Sequence, residues 1–315
     1  MQVFQDIGDA AQSVNGSVVT MGNLDGIHLG HQALVLRCVE EAQRLKTTSI
    51  VLTFDPHPLK ILAPERAPRL LLAAKDKLEL LEGLGVDVVI NQRFDATFSR
   101  LSAVNFVRQC LVDTLKAKKI WAGSDLRFGR GRSGDVEQLI EWGRRWGFEV
   151  SVVEPILVNG VRVSSSQIRQ LIEAGRMDEA RFLLGRYHFI SGVVVTGHGR
   201  GKELGYPTAN ISSFTEVLPG DGIYATFFYV GGKRWLSVSS IGINPTFGTG
   251  PRTVESYVFD FDGDLYDKAI RLAFVKHIRE EKKFSDIAAL VFQIQDDVRA
   301  AKSIFDSLGM IGCAS

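Results

Sequence analysis

Cysteine is scarce: Cys38, Cys110 and Cys313 are odd in number, far apart and without CxxC spacing. Such a set builds neither a disulfide framework nor a zinc site, and reads as free thiols in a reducing cytoplasm. Long hydrophobic runs are missing, since no stretch approaches the roughly 20 apolar residues that cross a membrane. The opening segment, Met1 to Gln12, carries Asp6 and Asp9 and no basic run, which reads against a secretory signal. An excess of one charge is missing too: Lys+Arg is 37, Asp+Glu is 36, and the formal net charge is +1. That balance excludes a protein that coats nucleic acid, while a local basic site for phosphates remains open. The 31 glycines and 9 prolines are scattered, so the chain is neither collagenous nor of low complexity. No internal repeat is present.

What the chain has is length and apolar content. At 315 residues and 45% hydrophobic it holds about two domains, each able to bury a core. The first half alternates strand and helix signals. Strands are expected at 17–20, 49–54, 86–90, 120–122 and 148–153, and helices at 29–45, 75–84, 102–115 and 135–146. Alternation of this kind predicts a parallel sheet with helices on both faces. Asn159-Gly160 between two β-branched runs marks a hairpin, and two short helices at 167–174 and 177–184 leave this half. From His188 onward the grammar changes to short strands and Gly-rich turns, with helical spacing returning only at 285–308. That pattern predicts an antiparallel barrel with one closing helix. The change of period places the boundary near 186, giving domains at 1–185 and 186–315.

The most informative stretch of the first half is TMGNLDGIHLGH, Thr20–His31. A strand runs into glycines and then a helix whose start is flanked by His28 and His31. Helix N-termini attract phosphate because their first amides lack partners and the dipole adds positive potential. Residues three apart share a helix face, so both imidazoles can serve one phosphate chain.

GxxDGxHxGH resembles the signature of the HxGH nucleotidylyltransferases. TFDPHP at Thr53–Pro58, SDLRFGRGRSGD at Ser124–Asp135 and SSSQIR at Ser164–Arg169 narrow the likeness. Together they resemble the adenylyltransferase half of the prokaryotic bifunctional riboflavin kinase/FMN adenylyltransferases, the FAD synthetases. Leu24 and Leu126 stand where that family has Phe, and Ser166 where it has Thr, with the hydroxyl kept. The resemblance implies that the FMN phosphate attacks the α-phosphorus of ATP and pyrophosphate leaves. The nucleophile is already an anion, so alignment and charge stabilisation suffice. It assigns His28 and His31 to catalysis. Gly22, Asp25, Gly30, Asp125, Ser165, Ser166 and Arg169 become nucleotide contacts, the two serines anchoring phosphate oxygens ahead of the helix that bears Arg169.

Two other patterns mislead. Gly129–Gly134 fits GxGxxG, but it follows Phe128 several residues beyond its strand rather than opening from the strand end. Asp260, Asp262 and Asp264 look like the start of a calcium loop, yet Leu265 and Arg271 stand where such a loop needs Gly and Glu. A solvated hairpin is the better reading there.

In the second half, GHGRGKELGYPTAN (Gly197–Asn210) follows a strand and combines glycines, two cations and a Thr/Asn pair. It is no Walker A loop, but glycines let amides approach phosphates, and Thr208 with Asn210 offers neutral oxygens suited to Mg2+. The string resembles the riboflavin kinase signature, as do SIGINPTF at Ser240–Phe247 and TVESYVFDF at Thr253–Phe261. A kinase acting on an alcohol needs a proton acceptor, and the resemblance makes Glu255 that base toward the ribityl 5′-hydroxyl. Gly199, Arg200 and Lys202 would steady the ATP phosphates. Tyr206, Phe247 and Tyr257 are available to a flavin.

The expectation is therefore a cytoplasmic two-domain enzyme: a Rossmann-like nucleotidylyltransferase domain followed by a riboflavin kinase barrel. Riboflavin, FMN and ATP are its substrates, FAD, ADP and pyrophosphate its products, and Mg2+ its metal. Neither nucleic acid nor membrane is a partner, and an oligomer is not excluded. The rivals are a kinase whose first domain adenylylates or cytidylylates another acceptor, and a flavin-sensing protein with degenerate sites. Intact HxGH, TFDPHP and SSSQIR speak against the first, and the presence of Glu255, His28 and His31 against the second.

Overall fold

The structure, a computed structural model, describes residues 1–197, 201, 204–243 and 252–309. It divides into two compact units, 1–69 with 74–165, and 70–73 with 166–315. The packing boundary thus precedes the change of sequence period by two short helices.

The first unit is a six-stranded parallel sheet ordered β1-β4-β3-β2-β5-β6. Its strands are β1 (Gln2–Phe4), β2 (Ser17–Met21), β3 (Thr48–Asp55), β4 (Val88–Arg93), β5 (Ala117–Gly123) and β6 (Glu149–Val153). Helices α1 (Leu29–Arg44), α2 (Pro58–Leu62), α3 (Ala74–Gly83), α4 (Ala103–Asn105) and α5 (Val136–Trp146) connect them. Val18, Val19, Ile50, Val51, Leu52, Val89 and Ile90 are sealed from solvent, as continuous β-branched and Leu runs in a sheet covered on both faces must be. Phe106–Thr114 continues from α4 in π-helical winding, its Leu115 amide reaching back to the Cys110 carbonyl at 2.9 Å. Asp135 caps α5 by accepting from the Gln138 amide, and Gly147 at φ 82 ends it, so a polar residue starts the helix and a left-handed glycine stops it.

Strand order locates the crevice. From β2 the chain steps to β3 and β4 on one side, then returns to β5 and β6 on the other. Ligands bind at such a switch point, outside the carboxyl ends of the strands. Here those ends lead into Gly22–His28 after β2 and into Ser124–Asp125 after β5. The GRGRSG motif lies away from these ends: Phe128 and Gly134 pair as a bridge, and neither opens a helix from a strand. Within this unit a small hairpin, β7 (Leu157–Val158) and β8 (Val161–Arg162), turns at Asn159 and Gly160, both with positive φ.

The second unit holds α6 (Ser165–Glu173, after its first residue), α7 (Met177–Leu184) and a closed antiparallel barrel ordered β10-β13-β12-β11-β14-β9. The barrel strands are β9 (His188–Val195), β10 (Thr208–Ser213), β11 (Gly222–Val230), β12 (Lys233–Gly242), β13 (Thr253–Val258) and β14 (Ala269–Arg279). Closure leaves no sheet edge to pair with another chain. Helix α8 (Ile287–Ser307) lays Phe305 against Phe227 and Phe259, and Arg279 holds Asp297 through two hydrogen bonds of 2.7 and 2.6 Å. Buried Thr226, Ser237, Ser239 and Ser256 satisfy one another through hydroxyl contacts of 2.7–2.9 Å. The acidic segment at 260–264 joins β13 to β14, which are not neighbours in the barrel, so it is a crossover loop rather than the expected hairpin.

Candidate active sites

In the first unit His28 is the N-cap of α1, its ring Nδ1 accepting the His31 amide at 3.3 Å. A neutral imidazole has one donor and one acceptor nitrogen, so this cap fixes the tautomer with the proton on Nε2. His28 is buried, and the His31 ring stacks on it with centroids 3.6 Å apart. Gly30 lies beneath the His28 ring; a Cβ there would stand 3.2 Å from Cε1. Gly22 donates its amide to the Leu52 carbonyl and starts the loop. The buried Asp25 follows, and its carbonyl accepts the Ser165 hydroxyl at 2.8 Å.

Other predicted contacts fall differently. Ser165 and Ser166 are the first two residues of α6 rather than ahead of it, and the Ser165 hydroxyl is engaged by Asp25. Arg169 lies one turn further along α6, in the second unit with Ser166. The exposed Asp125 forms an ion pair of 2.5 Å with Arg162 on the small hairpin. Around the β2 end, sequence reasoning missed Lys77, whose Nζ is 3.0 Å from Thr53 Oγ1, and Asn23, whose carbonyl is 3.2 Å from the same hydroxyl. Lys77 sits in an ordinary amphipathic helix with no motif around it, so no local signal marks it.

In the second unit, residues that the sequence assigned to a kinase site meet across strands. Register sets Asn210 of β10 and Ser240 of β12 on either side of Glu255 of β13, and Thr208 opposite Tyr257. Thr208 Oγ1 donates to Glu255 Oε2 at 3.1 Å. Alternate residues of β13, Val254, Ser256 and Val258, are buried, whereas Glu255 and Tyr257 are half-buried on the other face. Gly201 faces Thr208, with 3.1 Å from an added Cβ to its Oγ1, and Gly197 packs directly on the Asn210 carboxamide. Side chains at either glycine would displace the pair. Tyr206 meets Tyr257 edge to face at 5.3 Å. Gly199, Arg200, Lys202 and Phe247 lie outside the described residues.

A cradle at a strand-to-helix turn in one unit and a carboxylate between a threonine and an asparagine in the other define a chain with two phosphate-handling sites. Comparison with known proteins agrees. The FAD synthetase family model matches residues 10–167, and the riboflavin kinase model matches residues 184–305. A bifunctional riboflavin kinase/FMN adenylyltransferase from Pseudomonas fluorescens is 37% identical, covering 96% of this chain and 98% of its own. Its counterpart from Escherichia coli K12 is 36% identical over 97% and 98%. The solved structure described as a macrolide-efflux protein from Streptococcus pneumoniae superposes with a TM-score of 0.84 at 29% identity, covering 95% and 98%. Among the described residues no helix is long and apolar enough to cross a membrane. The chain belongs to the family of bifunctional riboflavin kinase/FMN adenylyltransferases.

Proposed function

We propose that this chain phosphorylates riboflavin with ATP to give FMN and ADP in its barrel. It then joins FMN to the adenylyl group of a second ATP in its parallel-sheet unit, giving FAD and pyrophosphate. The observation that carries the reading is the contrast between the two sites: one holds a carboxylate able to take a proton, the other stacked imidazoles at a helix start.

The contrast follows the chemistry. FMN attacks as an anion, so its site needs alignment and donors rather than a base. His28, with its proton on Nε2, and His31 stacked on it supply donors beside the positive end of α1. Gly22, Asp25, Gly30 and Asp125 line the nucleotide, and Ser166 and Arg169 take phosphate oxygens, while the Ser165 hydroxyl holds the Asp25 carbonyl. Riboflavin offers a neutral alcohol, so the barrel site needs Glu255 to accept the 5′-hydroxyl proton. Gly199 and Lys202 serve the ATP phosphates in this reading.

Thr208 and Asn210 present hard, neutral oxygens of the type Mg2+ accepts, and among the described residues no cluster of three or more His, Cys, Asp or Glu is assembled for a metal. This donor set fits an ion that arrives with ATP and is held by Thr208 and Asn210. Bound there, Mg2+ neutralises charge on the phosphates. The division of labour follows 1–185 and 186–315. The buried free thiols Cys38 and Cys110 support a reducing, cytoplasmic setting.

The test is a time course of purified protein with riboflavin, ATP and Mg2+. FMN should rise first and FAD follow. FMN that accumulates without FAD would favour a different adenylyl acceptor, and absence of both products would overturn the reading.

A further inference from the structure

At the carboxyl end of β3 a line of polar groups runs from α3 to the loop before α1. Lys77 Nζ lies 3.0 Å from Thr53 Oγ1, and that hydroxyl lies 3.2 Å from the Asn23 carbonyl. An ammonium only donates, so the Thr53 hydroxyl accepts from Lys77 and sends its own proton to Asn23. The direction of both bonds is fixed by the lysine. Beyond the backbone, the Asn23 carboxamide lies 3.0 Å from His57 Nε2. The contact is made by the carboxamide nitrogen, Nδ2, and His57 Nδ1 accepts the Leu59 amide at 3.2 Å.

Asn23 is the first residue of a turn that needs holding. Leu24 (φ 49), Gly26 (φ 88) and Ile27 (φ 39) all have left-handed backbone. A β-branched residue in that region is strained and persists only when its surroundings enforce it. Leu24 and Ile27 are buried, and the turn delivers His28 at its end. Charge adds to the picture. Burial pushes the Lys77 ammonium below the usual lysine range, while the Asp55 and Asp25 carboxylates pull it back up.

We propose that Lys77 is a positioning residue of the adenylyltransferase site: acting through Thr53, it locks the strained turn that presents His28, and contacts neither substrate. The proposal rests on the adenylyltransferase reading above. It predicts that losing Lys77 slows the chemical step and leaves substrate binding largely intact.

The experiment measures FAD formation from supplied FMN and ATP, with riboflavin phosphorylation as an internal control. Lys77→Met and Thr53→Val should each lower kcat by about 10- to 100-fold, the scale expected when reacting groups are misplaced by an ångström. KM for FMN and for ATP should stay within about twofold, and the double variant should lose little beyond the worse single one, because both break one connection. Lys77→Arg, which keeps a donor, should recover most of the rate. Riboflavin phosphorylation should be unchanged throughout. Thr53→Val is nearly isosteric and tests the same connection if Lys77→Met fails to fold. Wild-type kcat in Thr53→Val, multiplicative losses in the double variant, or a large rise in KM with kcat preserved in Lys77→Met would each overturn the proposal. A wild-type protein that made no FAD would instead strike the parent reading.

Discussion

The Thr208 hydroxyl donates to the Glu255 carboxylate at 3.1 Å, although the two residues are 47 apart in sequence. The bond exists because β10 and β13 pair antiparallel, with Asn210 directly opposite Glu255. In the proposed function it orients the carboxylate that takes the alcohol proton. Thr208→Val should therefore lower riboflavin phosphorylation by about 10- to 100-fold, the range for losing a hydrogen bond to a charged group. Thr208→Ser, which restores the hydroxyl, should stay within a few fold. Steady-state assays of FMN formation on both variants check this.

His31→Ala tests the other chemistry. Removing one preorganised donor to a phosphoryl oxygen costs about 3–4 kcal/mol, or roughly 10²–10³ in rate. FAD formation should fall by that factor while FMN formation continues. His28→Ala should do the same and also lower Tm, because its ring caps α1 and a lost cap costs about 1 kcal/mol. A His31→Ala protein with unchanged FAD synthesis would remove that residue from the mechanism.

The GRGRSG glycines yield a stability contrast. Gly129 has φ 72 and ψ 175, a region open almost only to glycine, and an added Cβ would stand 2.5 Å from the Ala103 backbone. Gly129→Ala should cost about 2–4 kcal/mol from strain and overpacking together. Gly131 is left-handed but faces open space, so Gly131→Ala should cost only about 1 kcal/mol. Denaturant melts of both variants check the difference. The motif is a packing device.

Much of the fold was legible in the sequence. The alternation of strand and helix periods, and the switch after Gly185, were legible because side-chain burial repeats every two residues in strands and about 3.6 in helices. Strand β1 escaped notice because Gln2–Phe4 is short and mostly exposed, so it has no burial period. The HxGH and PTAN strings marked His28, His31, Thr208 and Asn210 through resemblance. That Thr208 should touch Glu255 was not legible, since register between strands distant in sequence depends on barrel closure. Nor was the role of Arg162: its ion pair with Asp125 crosses from the small hairpin to the loop after β5. Leu70–Ala73 packs with the second unit because the Val217 amide reaches the Leu70 carbonyl at 3.1 Å and Glu216 accepts the Leu70 amide at 2.8 Å.

His188 makes stability depend on pH. It is buried and stacked on Phe274, and burial, helped by the nearby Arg186 charge, pushes its pKa down to about 3; a contact with the Val217 backbone opposes the shift. The folded-state pKa lies below the ordinary value, so the unfolded chain binds the extra proton between about pH 6.5 and 3. Stability is unaffected above that window and falls as pH drops through it, by about 3 kcal/mol at pH 4.5. His188→Leu should flatten this part of the curve. Denaturant midpoints of both proteins at pH 7.5 and 4.5 measure the difference, and equal pH slopes would contradict the assignment.

Glu255→Gln separates the two activities within one chain and tests the account most directly. Glutamine keeps the size of the side chain and can still accept from Thr208, but it cannot take up the alcohol proton. Losing a general base costs about 10²–10⁴ in rate. The measurement follows product formation by the same purified variant from riboflavin with ATP and, separately, from FMN with ATP. Expected are almost no FMN from riboflavin, FAD from FMN within about twofold of wild type, and an unchanged Tm. Riboflavin phosphorylation at near wild-type rate would contradict the account and return Glu255 to the status of a half-buried strand residue.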